Sequence, residues 1–252
     1  STYGDRDHQS VEGARERLGA IVRDTAARGG RILIPAFAVG RTQEILYELH
    51  LLRREGKVPE IPVILDSPLA IHATGIFEAH PDLFDRGEAL VGEVAELFRF
   101  PLVRFTRKVQ ESKALHGMHG PMIIIAASGM AESGRILHHL LHGAGDPRNT
   151  ILIVGLQAEH TLGRRIVERR PMLKIFGEEV PLRAQVEVLD GYSAHADRPG
   201  LLEWAEAVRG TSRRRQEVWP VQGEEGPRES RAAALAQRGF RASSPAPGER
   251  VR

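Results

Sequence analysis

Cysteine is absent from the 252 residues. That excludes disulfides, thiolate metal sites and cysteine nucleophiles, and it fits a reducing compartment. No apolar run approaches the ~20 residues of a membrane helix, and residues 1–6 lack the apolar stretch of a signal peptide. A cytoplasmic protein with no membrane partner is therefore expected. Excess charge is also missing: 35 Lys and Arg face 33 Asp and Glu, a net of +2, so any nucleic-acid binding must come from local clustering. Neither a Gly-x-Gly-x-x-Gly nor a Walker loop occurs, which weakens a nucleotide-binding α/β reading. What remains, 41% hydrophobic and 27% charged residues, is soluble globular composition.

The pattern alternates helical and strand signals, the mark of an α/β sheet. Val11, Leu18, Ile21 and Val22 share one face of a helix expected over residues 10–28, stopped by Gly29-Gly30. Residues 31–37 read as a buried strand, 41–55 as a helix and 63–65 as a short strand. Residues 69–100 read as helical with breaks. Strands are expected at 101–105, 122–127 and 150–154, with a helix over 132–142 between the last two. Residues 180–189 alternate as a half-buried strand, followed by a helix at 197–208, a strand near 217–221, a helix near 228–238 and a Pro/Ser/Gly-rich tail.

Three expected strands end in polar, Gly-containing or capping turns: Phe37-Ala-Val-Gly-Arg41, Asp66-Ser-Pro-Leu-Ala70 and Ala127-Ser-Gly-Met130. In a parallel sheet such turns line the carboxyl edge, where helix N-termini suit phosphate and Arg41 and Arg135 would add forked donors. Every α/β protein has such turns, so phosphate binding and plain scaffolding both stay open. His116-x-x-His119 and His138-His139-x-x-His142 have ligand-like spacing, but no acidic third ligand lies near them, and they read as surface or groove histidines. In Gly191-Tyr-Ser-Ala-His195-Ala-Asp197 a histidine sits in a small-residue turn before a helix capped by Asp197. It is placed either to exchange a proton near neutral pH or to hydrogen-bond its own turn.

Seven segments in register carry a family resemblance: Ser1-Thr-Tyr-Gly-Asp-Arg6, Ile34-Pro-Ala-Phe-Ala-Val-Gly-Arg-Thr-Gln-Glu44, Leu65-Asp-Ser-Pro-Leu69, Ser112-Lys-Ala-Leu115, Ala127-Ser-Gly-Met130, Gly134-Arg-Ile-Leu-His-His139 and Gly191-Tyr-Ser-Ala-His-Ala-Asp197. Together they resemble the β-CASP family of metallo-β-lactamase-fold ribonucleases. The resemblance implies an α/β fold in which a β-CASP domain with a parallel sheet interrupts a metallo-β-lactamase domain. It assigns residues 1–8 to the end of the first metallo-β-lactamase segment, 9–181 to the β-CASP domain and 182–252 to the returning, RNA-specificity segment.

The resemblance further implies RNA as substrate, two zinc ions in the complete fold and a site in the cleft between the domains. It makes His195 a catalytic residue and Arg41, Lys113, Ser128, Gly129 and Arg135 candidates for RNA phosphate or for contacts with one another. Most family zinc ligands lie upstream of the β-CASP insertion and none of them is in these residues. The last ligand histidine aligns with Gln222 in Val221-Gln-Gly-Glu224, and a carboxamide is a poor zinc ligand beside imidazole. Pro220 falls where that segment should form a strand. The expectation is a C-terminal portion of a longer nuclease, binding no zinc and inactive alone, with exposed edges favouring a homodimer. The alternative is a non-catalytic RNA-binding or scaffold paralogue.

Overall fold

The computed structural model describes residues 2–84, 94–210, 216–246 and 248–250. They divide into two compact units, one formed by residues 10–192 and the other by residues 1–9 with 193–252.

In the larger unit, α1 (Val11–Ala27) leads to β1 (Arg31–Pro35), α2 (Arg41–Arg54), β2 (Val63–Leu65) and α3 (Pro68–Ala79). Next come a 3-10 turn (Pro81–Leu83), α4 (Val94–Phe98), β3 (Val103–Phe105), α5 (Val109–Gly117), β4 (Met122–Ala126), α6 (Ile136–Gly143) and β5 (Thr150–Ile153). The unit closes with α7 (Leu162–Val167), β6 (Met172–Ile175), β7 (Glu178–Pro181) and β8 (Gln185–Val188). Six strands form one parallel sheet in the order β3-β2-β4-β1-β5-β8.

The inner strands read as unbroken apolar runs because helices cover both faces. Alternation then sorts their side chains. Ile32, Ile34, Val63, Leu65, Ile123, Ile125 and Leu152 pack with α1 and α2 through Leu18, Ile21, Leu46 and Leu49. Leu33, Ile64, Ile124, Ile151 and Ile153 point the other way, onto Ile136 and Leu140 of α6 and Leu162 and Ile166 of α7. Arg15 of α1 ties to buried Glu48 of α2 at 2.6 Å, and Arg17 of α1 to Glu187 of β8 at 2.7 Å.

The strand expected over residues 180–189 is two strands. β7 pairs antiparallel with β6 in a hairpin, and β8 joins β5 in the main sheet. The break comes where the N–H groups of Arg183 and Ala184 both donate to the Ala144 carbonyl. Because β8 belongs to this sheet, the larger compact unit runs on to Tyr192. The helix expected from 132 starts at 136, after the loop of residues 127–135, and α7 and β6 are elements the pattern did not signal. Of the helical stretch expected over 69–100, residues 85–93 lie outside the described residues.

The smaller unit holds α8 (Arg198–Arg209), β9 (Glu217–Val218), α9 (Glu225–Gln237) and β10 (Arg241–Ala242), with β9 and β10 pairing in parallel. β9 stops before Pro220. The N-terminal residues are knitted into this unit. His8 N–H donates to Asp197, Arg198 N–H donates to the Arg6 carbonyl, and Gly4 lies against Pro227 and Arg231. Among the described residues no helix is long and apolar enough to cross a membrane.

Candidate functional site

The carboxyl edge of the parallel sheet has a topological switch point. The chain leaves β1 toward α2 and β2 toward α3 on one face, but leaves β4, which lies between them, toward α6 on the other. Loops that part to opposite faces leave a crevice at the strand ends, where α/β proteins bind ligands.

Asp66, at the end of β2, is fully buried and organises one side of that crevice. Its Oδ1 accepts from Arg135 at 2.7 Å and from Thr106, and its Oδ2 accepts from Ser112 and meets His139 Nε2 at 2.7 Å. Burial alone pushes this carboxyl up. The donors His139, Ser112, Thr106 and Arg135 outweigh it and hold the group well below the usual carboxylate range. Arg135 also donates to the carbonyls of Thr106 and Arg107. The network therefore pins the start of α5 and the loop before α6 to the end of β2. Ser67 and Pro68 follow as N-cap and first residue of α3, with Ser67 Oγ accepting from Ala70 N–H.

The second side is the meeting of the loops after β1 and β4. Gly40 has φ +82°, and its N–H donates to Gln43 Oε1 at 2.8 Å. Buried Gln43 bonds in turn to Ala38 and Thr74. Arg41, the first residue of α2, pairs with Glu44 at 2.5 Å. Ser128 Oγ accepts from Glu132 and Ser133 N–H, closing the 127–135 loop on itself. Gly129 is buried against Phe37. Gly134 has φ +77°, and a Cβ there would lie 2.3 Å from the Ala127 carbonyl oxygen. Lys113, next to Ser112, is exposed and has no ion pair among the described residues; Arg107 and Lys108 are exposed before it.

Of the residues expected to meet phosphate, the structure brings Ser128 and Gly129 together at the β1–β4 crevice, with Arg135 at the other end of the same loop. Arg135 is committed to Asp66 and two carbonyls. Lys113 stands free on α5. Sequence reasoning missed Asp66, Thr106, Ser112 and His139 as one network. His139 is only 2% exposed, unlike its neighbours His138 and His142 on the outer surface. The signal available was the four-residue spacing of Arg135 and His139, which puts both on one helical face.

In the smaller unit His195 lies on the turn before α8. Asp197 caps that helix, accepting from Gly200 N–H at 3.0 Å and from His8 N–H at 3.1 Å. Burial raises its carboxyl, but these two backbone donors leave it lowered overall. His195 N–H donates to Ser193 Oγ, while its exposed ring makes no hydrogen bond among the described residues. An open pocket of about 550 Å³ joins His195 to Thr2, Trp204, Gln222 and Arg231. For zinc this pocket offers one imidazole and one carboxamide. Among the described residues no group of three or more His, Asp or Glu is placed to hold a metal. The donor set present does not complete a zinc site.

Comparison with known proteins bears on both units. Residues 42–166 match the Beta-Casp domain, and residues 179–245 match the Zn-dependent metallo-hydrolase RNA specificity domain. The chain is 41% identical over 204 residues to Ribonuclease TTHA0252 of Thermus thermophilus, covering 81% of this chain and 47% of that one. It is 36% identical over 218 residues to transcription termination factor FttA of Thermococcus kodakarensis, covering 83% of this chain and 33% of the relative. An RNase J-like protein of Methanocaldococcus jannaschii is 31% identical over 215 residues, covering 82% and 48%. The chain thus spans between a third and a half of the length of these curated relatives.

Proposed function

The chain belongs to the β-CASP family of metallo-β-lactamase-fold ribonucleases, and on that premise we propose that it is the RNA-handling part of an RNA-processing metallo-hydrolase. The observation that carries the proposal is the switch-point crevice of the larger unit, walled by Gly129 and Ser128 on the loop after β4 and by the Asp66–Arg135 pair at the end of β2. Lys113, Arg107 and Lys108 supply exposed positive charge on the neighbouring segment, and Arg41 begins α2. Backbone N–H groups and cations at one sheet edge suit a chain of phosphates. Arg135 holds the edge in shape while Lys113 and Arg41 meet the strand. His195 is proposed to exchange a proton with the oxygen that leaves the scissile phosphate in the complete enzyme.

Zinc belongs to this proposal through the family description of residues 179–245, with ligands other than those described here. Gln222 favours a second reading, a non-catalytic RNA-binding paralogue, because its carboxamide lines the pocket that holds His195, at the position where the family resemblance expects an imidazole. The comparisons lend no support to the homodimer expected from the sequence.

The test is the salt dependence of binding to an unstructured oligoribonucleotide. Each phosphate contact removed should flatten the slope of log K against log salt by about 0.7 for a single strand. Lys113→Ala and Arg41→Ala should each do so. No RNA binding, or slopes unchanged in both variants, would sink the proposal.

A further inference from the structure

We propose that Phe37 is a stacking platform for one unpaired base of a bound RNA strand. This rests on the RNA reading above and deepens it by naming the substrate as single-stranded at this crevice.

Phe37 follows β1 between two buried residues, Ala36 and Ala38, so the backbone on either side is anchored in the core. Its carbonyl accepts from both Thr42 Oγ1, at 2.7 Å, and Thr42 N–H, at 3.3 Å. The ring is therefore carried on a fixed piece of chain. Across the switch point it meets Gly129. A Cβ built on that glycine would lie 2.8, 2.9 and 3.0 Å from Phe37 Cδ2, Cε2 and Cγ. An approach in the ring plane to Cδ2 would leave its two neighbours markedly farther away. Three nearly equal distances mean that the glycine lies over the face of the ring. One face is thus seated on Gly129, and yet the residue remains 52% exposed, so the other face is open.

Isolated exposed apolar side chains are ordinary on any protein surface. Phe37 differs in being flat, fixed and backed by a residue whose missing side chain makes room for it. A fixed aromatic face beside phosphate-binding groups is the arrangement by which single strands are held, because every base has a π-face. The Asp66–Arg135 pair at the end of β2 stands two strand spacings away, about 10 Å, on the same sheet edge. A protein partner would use the same ring differently, as an anchor buried from all sides.

The experiment uses the full chain and two labelled oligomers of equal length, oligouridylate and its abasic ribose-phosphate counterpart. The unmodified chain should bind oligouridylate more tightly. Phe37→Leu should weaken binding to oligouridylate by about 5- to 150-fold, the range for one stacked base, and leave binding to the abasic oligomer unchanged. Gly129→Ala, which lifts the ring from its seat, should erode the same preference. Phe37→Trp should keep it, and its new indole emission should be quenched by oligouridylate and not by the abasic strand. Thermal melts of each variant check that the fold is intact.

Equal binding of both oligomers by the unmodified chain, or unchanged affinity in Phe37→Leu, overturns the platform and leaves the phosphate reading standing. Failure to bind either oligomer removes the RNA reading itself. A change in self-association with Phe37→Leu, with no change in RNA affinity, assigns the ring to a protein contact and also overturns the platform.

Discussion

The Asp66 carboxylate and the His139 ring meet at 2.7 Å where neither reaches solvent, and they join segments 73 residues apart in the chain. A buried carboxylate with four donors is stable only while all of them are present. Asp66→Asn removes the charge that Arg135 and His139 were placed to meet. It should cost about 3–5 kcal/mol in urea unfolding, the range for breaking one side of a buried pair. A loss under about 1 kcal/mol would show that the network does not hold the sheet edge together.

Acid should weaken the larger unit in two windows. Burial first, then the charges of His139, His142, His138 and Arg31, pull the His116 imidazole from 6.5 to about 4. Between those values the unfolded chain binds a proton that the folded chain refuses, so stability falls as pH falls from about 6.5 to 4. The Asp66 carboxyl is lowered, so its contribution is present above its ordinary value of 3.8 and is lost as pH drops below that. Urea midpoints at pH 7.0, 5.5 and 4.5 check the first window. In His116→Gln the decline over that range should be shallower than in the parent. An identical decline would place the sensitive group elsewhere.

His195 and Asp197 should separate by readout. The exposed, unbonded His195 ring predicts a change within about 0.5 kcal/mol for His195→Ala. Loss of the α8 cap in Asp197→Ala should cost about 1 kcal/mol. Under the proposed catalytic role, His195→Ala should lower RNA-cleavage turnover by ~10²–10⁴-fold with RNA affinity retained. A variant that melts early yet cleaves at the parent's rate would make His195 a turn residue only.

The 127–135 loop depends on one backbone position. Gly134→Ala must adopt φ +77° and bring a Cβ to 2.3 Å from a carbonyl oxygen. It should lose more than the ~1–2 kcal/mol that the left-handed conformation alone costs an alanine. Gly75→Ala, on α3 with open space around it, should be neutral or stabilising by up to about 1 kcal/mol. Equal melting temperatures for the two variants would contradict the assigned loop geometry.

The strands of the main sheet were legible because Ile32–Ile34 and Ile123–Ile125 are apolar without interruption, as burial on two faces requires. The Asp197 cap was legible too, since it acts on Gly200 three residues away. Residues 180–189 misled because side-chain alternation continues through the bend at Leu182–Ala184, and the partner strand that decides the break is not written in the alternation. The β6–β7 hairpin carried one visible cue, Gly177 at φ +86° in its turn. The Asp66 network was illegible for another reason. Its partners Thr106, Ser112, Arg135 and His139 are 40 to 73 positions away, and short-range spacing cannot show which of many polar residues converge on one carboxylate.

The ion pair of Arg17 with Glu187 has a consequence for synthesis. Residues 1–9 are made before residues 10–192 but belong with residues 193–252, made about 180 residues later. Joining them through a disordered intervening chain would carry a large loop-closure entropy. A folded larger unit removes most of it, since Arg17 near its start and Glu187 near its end are already held 2.7 Å apart. The larger unit can thus fold as soon as its last strand emerges and bring the two separated segments within reach of each other.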